Sequence, residues 1–229
     1  SVTFTSTHDS DKMGYGMADS ITATYSGETD GGLTVTTSLE LDGGANASSS
    51  FDSRSISIAS EDMGTITFSG HGGDTVMSGF DDMMPTAYEE VFALTKNKSD
   101  AATGAGNLTV AGQTANNTWR YDSPSVGGAQ FSVAYISADT GTTAGRISSY
   151  SDMGIKISPE AVEGLTIGFA TGEYDKSATT LGLDHSTMFA TYAYGSFTVG
   201  YQQSDIDGPT AATTDESDSW AVSYAVSDD

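Results

Sequence analysis

The chain of 229 residues contains no cysteine, which excludes a disulfide framework and any thiolate metal site. Proline is scarce, with 4 residues. Positive charge is scarcer still for a chain of this size: 8 Lys and Arg stand against 31 Asp and Glu, a formal net charge of −23. Phosphate backbones would be repelled, so nucleic acid is not an expected partner. The charge alone fits either plain solubility in a salt-rich habitat or a field that favours cations over anions. No apolar run approaches the roughly 20 residues of a membrane helix. No positively charged, apolar leader opens the chain, so any export signal is expected to have been removed already. Hydrophobic residues make up 37% and charged residues 17%. That is too little charge for a highly charged disordered chain and a poor supply for a conventional two-layer core.

What the chain does have is alternation. Ile21, Ala23 and Tyr25 alternate with Thr22 and Thr24, and Phe131, Val133 and Tyr135 with Gln130, Ser132 and Ala134. Phe197, Val199 and Tyr201 alternate with Thr198, Gly200 and Gln202. Successive side chains of a strand point to opposite faces, so each segment has one apolar face and one face of small or polar groups. Such segments run from Val2–Thr7 to Asp218–Val226 and number about twelve, each of roughly the length that crosses a bilayer when tilted. Their connections take turns in length. Residues 27–32, 60–63, 123–128, 159–164 and 195 form short turns. Residues 8–19, 42–52, 70–117, 138–149, 174–185 and 203–217 form longer polar loops. This order predicts an all-β, transmembrane, antiparallel up-and-down barrel with a wet interior, in a single domain over 1–229. The stretch 70–117 breaks the alternation, and so long a loop in a compact domain is usually functional. Within it, Tyr88–Leu94 is expected to form one or two helical turns.

Three stretches carry a family resemblance. Tyr25-Ser26-Gly27-Glu28-Thr29-Asp30-Gly31-Gly32-Leu33 is similar to the first short turn of the general diffusion porins of Gram-negative bacteria. Met63-Gly64-Thr65-Ile66-Thr67-Phe68, followed by a long acidic loop, resembles their fifth strand and constriction loop. Arg120-Tyr121-Asp122-Ser123-Pro124-Ser125-Val126-Gly127-Gly128 resembles their sixth and seventh strands. The resemblance spans the chain and looks most like the alphaproteobacterial members. It implies an outer-membrane channel for passive diffusion of small hydrophilic solutes and ions. It also implies a homotrimer, contact with outer-membrane lipid and lipopolysaccharide, no cofactor and no enzymatic activity. Such porins have about sixteen strands, so this chain is expected to be a piece with about four strands missing beyond its C-terminal end.

On that resemblance the loop acids Asp81, Asp82, Glu89 and Glu90 are candidates for the negative side of a constriction, since fixed charge on a narrow wall biases which ions enter. Parity places Arg120, Lys156 and Glu40 on the pore wall. Arg54 shares parity with Ile56 and Ile58, and is placed either on the wall or at the rim. A charge facing lipid near the midplane would cost about 2–4 kcal/mol, which favours the inward assignments. With a basic wall this thin, a cation preference is expected. Tyr25, Trp119, Tyr121, Tyr135, Tyr192, Tyr194, Trp220 and Tyr224 suit interfacial girdles. Phe189 is the main aromatic on the inward side.

His8, His71 and His185 lack ligand spacing, so no metal site is expected. Neither a nucleophile elbow nor a dinucleotide fingerprint is present. The competing class is a secreted acidic β-rich adhesin or surface-layer protein, which would bury its apolar faces against a second sheet. A substrate-specific barrel channel, for example for sugars, ranks lower because the aromatics face outward.

Overall fold

A computed structural model describes residues 20–42, 53–81, 83–85, 116–138, 149–175, 182–208 and 214–226. They form one sheet of 11 strands in the order β1 to β11, each paired only with its sequence neighbours. The strands are β1 Ser20–Glu28, β2 Thr34–Asp42, β3 Ser53–Ser60, β4 Gly64–His71, β5 Thr118–Asp122 and β6 Ala129–Ile136. They continue with β7 Tyr150–Ile157, β8 Leu165–Tyr174, β9 Leu183–Tyr194, β10 Phe197–Asp207 and β11 Asp215–Tyr224. Every pairing is antiparallel. β1 and β11 are the two edges, and the described sheet is not closed. The Val2–Thr7 segment, the twelfth of the expected strands, lies outside the described residues, as does Tyr88–Leu94.

Register converts the alternation into two continuous faces. On the outer face one row runs Ile58–Ile66–Tyr121–Val133–Met153 across β3 to β7. Another runs Ile155–Phe169–Met188 across β7 to β9. Outer-face side chains stay uncovered: Trp119, between Phe68 and Tyr135, is 50%, Met153 51% and Phe169 48% exposed. The inner face of β1 to β4 carries hydroxyls instead, in rows such as Ser26–Thr36–Ser57–Thr67. Adjacent hydroxyls hydrogen-bond across strands, as between Ser26 and Thr36 at 3.0 Å.

The short connections depend on backbone that only glycine adopts without strain. Gly164 has φ +82°, and a Cβ there would lie 2.1 Å from the Ala193 carbonyl oxygen. The strands β8 to β11 run further than their alternation implies. β8 continues to Tyr174, β9 begins at Leu183, β10 reaches Asp207 and β11 begins at Asp215. In these extensions the ladder continues through pairs such as Asp205 with Glu216 and Glu173 with Asp184. The outward positions there are polar, while Leu183 and Ile206 pack inward, so the ladder persists after the outward apolar pattern has ended.

Candidate functional site: a loop segment pinned inside the sheet

The chain after β4 does not leave the sheet. Residues 73–81 and 83–85 turn back and lie on the inner face, reaching from β5 to β10. The segment includes a 3-10 turn at Met77–Gly79. Thr75, Val76 and Met77 are fully buried, and Phe80 and Met84 are nearly so. Val76, Met77 and Phe80 pack with Ala134, Ala170, Phe189 and Ile206 from the wall. The inner face is therefore not hydroxyl-lined throughout: on β6 to β10 it is capped by this segment. Phe189 meets Phe80 edge-on, with ring centres 5.4 Å apart at 84°.

Glycines on the wall make the approach possible. A Cβ on Gly154 would lie 2.9 Å from Val76 Cγ1, and one on Gly200 would lie 2.6 Å from Pro85 Cδ. On Gly168 it would lie 2.1 Å from the Phe189 ring, so that glycine gives the ring its place. Interior glycine weakens a strand, and here it marks where another part of the chain comes close.

Three polar side chains hold the segment, each through its main chain. Arg120 on β5 donates from Nη1 to the Thr75 carbonyl at 3.1 Å. Asp152 on β7 accepts from the backbone N–H groups of Val76 at 3.2 Å and Met77 at 2.8 Å. It also accepts from the Tyr150 hydroxyl at 3.2 Å. Gln202 on β10 accepts from the Met83 N–H at 2.9 Å. Its Nε2 donates to the Phe80 carbonyl at 2.7 Å, the Asp81 carbonyl at 3.2 Å and Thr187 Oγ1 at 3.0 Å. These bonds satisfy backbone groups that water cannot reach, which is where an orphaned group costs most.

The charged candidates fall in different places. Arg120 faces inward as parity implies, but its charge is already matched: Nε and Nη2 donate to the Asp122 carboxylate at 3.0–3.1 Å. Asp122 also accepts from Ser132 at 2.6 Å. Arg120 is thus a strut for the loop segment as well as a wall residue. Glu40 faces inward on β2 and accepts from Ser53 at 3.2 Å. Lys156 is inward and exposed, in register with Gln130 and Gly168. Arg54, which parity left between wall and rim, falls on the outer-face side of β3. It pairs with Leu39 on that face, and its side chain lies against the Cβ direction of Gly70. Asp81, on the pinned segment, is exposed. Asp82, Glu89 and Glu90 lie outside the described residues.

Sequence reasoning passed over Asp152 and Gln202 as site residues. Two signals pointed to them: their inward parity, and the glycines at 154 and 200 two positions away on the same strands. Among the described residues no group of three or more His, Asp or Glu could hold a metal ion. No described helix is long and apolar enough to cross a membrane, which says nothing of strands.

Comparison with known proteins agrees with this architecture. The family model for Gram-negative porins matches residues 2–228. The fold is similar to that of the anion-selective porin from Comamonas acidovorans, with TM-score 0.55 and 17% identity over 92% of this chain. It is also similar to a porin refined at 1.8 Å, with TM-score 0.58 and 16% identity over 93% of this chain. The chain spans 64% of the length of the first and 72% of the second. No curated protein matches it. With its outward apolar rows and a loop segment folded inward after β4, the chain belongs to the Gram-negative porin family of the bacterial outer membrane.

Proposed function

We propose that this chain forms the wall of a water-filled channel through which small hydrophilic solutes and ions diffuse passively, with a preference for cations. The observation that carries the reading is the combination of an uncovered apolar outer face with a loop segment pinned against the inner one. Passive diffusion requires neither a cofactor nor a catalytic residue. The assembly is a homotrimer whose apolar flanks contact outer-membrane lipid and lipopolysaccharide.

The preference for cations rests on Asp81, Asp82, Glu89 and Glu90 of the loop, with Glu40 on the wall. The inward Arg120 is neutralised by Asp122, which leaves Lys156 as the positive wall residue among the described residues. The similar Comamonas porin is anion-selective, so fold alone does not set the sign. Local charge does. An adhesin would cover its apolar rows with a second sheet, whereas these rows are exposed. A sugar-specific aromatic track loses its main candidate, because Phe189 is buried beneath Phe80.

The test is reversal potential across a planar bilayer under a salt gradient. The wild-type protein is expected to pass current with cations favoured. Neutralising Asp81, Asp82, Glu89 and Glu90 together is expected to weaken that preference. An unchanged reversal potential would show that this loop does not line the conduit.

A further inference from the structure

We infer that Gln202 is the positioning residue that presents Asp81 to passing ions. This rests on the channel reading above and deepens it. The segment around Asp81 is anchored on both sides: Phe80 lies in the apolar cluster, and Met84 is 7% exposed. Asp81 between them is exposed. Gln202, 4% exposed, bridges that short bend by gripping only its main chain. The chemistry requires an amide. Met83 N–H can only donate, so it fixes Oε1 towards itself. The Phe80 and Asp81 carbonyls can only accept, so they fix Nε2. A carboxylate would present oxygen to two carbonyls, and an ammonium could not accept from Met83. Gly200, two residues earlier on the same face, leaves the space that Met84 and Pro85 occupy.

The consequence is selectivity controlled by an uncharged residue. Gln202→Leu keeps the volume and the net charge but removes every one of these bonds, leaving two carbonyls and an N–H to seek water. For a carboxylate about 5 Å from an ion, a displacement of about 3 Å shifts cation and anion energies oppositely. Together these change the permeability ratio by about threefold in a water-like dielectric.

The experiment is a double-mutant cycle on the full protein, read as cation-to-anion permeability in planar bilayers at low salt, where screening is least. Asp81→Asn is expected to lower the ratio by about fifteenfold and Gln202→Leu by about threefold, and the double variant to fall little below Asp81→Asn alone. If Asp81→Asn acts equally in both backgrounds, or if either single change leaves the ratio alone, the inference is overturned. A wild-type protein that passes no current would instead sink the channel reading itself. Should Gln202→Leu fail to fold, Thr187→Val removes one Gln202 bond. It is then expected to give a smaller shift in the same direction, and no shift would count against the inference.

Discussion

Replacing Asp152 with alanine tests how the loop segment is held. The carboxylate accepts from the Val76 and Met77 amides at 3.2 and 2.8 Å, in a place where both residues are buried. Truncation orphans two N–H donors, each costing about 1–3 kcal/mol, so local opening of the segment becomes easier by about 3 kcal/mol. The strand ladders are untouched, so the sheet itself is expected to stay folded. The change should therefore appear as faster hydrogen exchange at the Val76 and Met77 amides, by about a hundredfold, while amides of β7 and β8 keep their protection. Asp152→Asn retains one acceptor oxygen and should give an intermediate acceleration of about tenfold. Exchange at both amides that stays at the wild-type rate in Asp152→Ala would refute the assignment of this carboxylate as an anchor.

Other expectations concern packing and the two faces. Phe189→Ala removes the edge-on partner of Phe80 and should destabilise the folded barrel by about 3 kcal/mol in denaturant titrations in vesicles. Gly154→Val would drive a side chain into Val76 and should cost about 1–3 kcal/mol in the same titration, with the loop segment becoming protease-sensitive before the sheet. Ile155→Arg puts a charge on the lipid side and should cost about 2–4 kcal/mol near the midplane. Its neighbour Lys156 already carries a charge on the inner side, and Lys156→Arg should fold like the wild type. Equal losses at 155 and 156 would contradict the facing.

The strands were legible because lipid on one side and water on the other impose a strict period of two. Ile21, Phe131 and Val199 announce their strands without help from distant residues. The extensions of β8 to β11 were not legible, since pairs such as Asp205 with Glu216 carry no apolar signal. The loop segment was legible as a break in pattern but not as a path. Its contacts to β7 and β10 join residues more than seventy positions apart, and its grip on Asp152 and Gln202 runs through main-chain atoms that every residue shares. The wall glycines and the inward parity of Asp152 and Gln202 gave its local trace. Arg54 was ambiguous for a physical reason as well: at a strand end, a long side chain can reach headgroups or solvent from the outer face, so its charge does not reveal its direction.

The central proposition is that one face of the sheet meets lipid and the other meets water. The absence of cysteine makes a direct measurement possible, since any introduced thiol is unique. Single cysteines at Ile155, Ile167, Gln130 and Thr166 in the bilayer-embedded protein would be offered a membrane-impermeant thiol reagent and a lipid-soluble one. The account predicts that Gln130 and Thr166 react with the impermeant reagent, and that Ile155 and Ile167 react only with the lipid-soluble one. Equal reaction of all four with the impermeant reagent would contradict it.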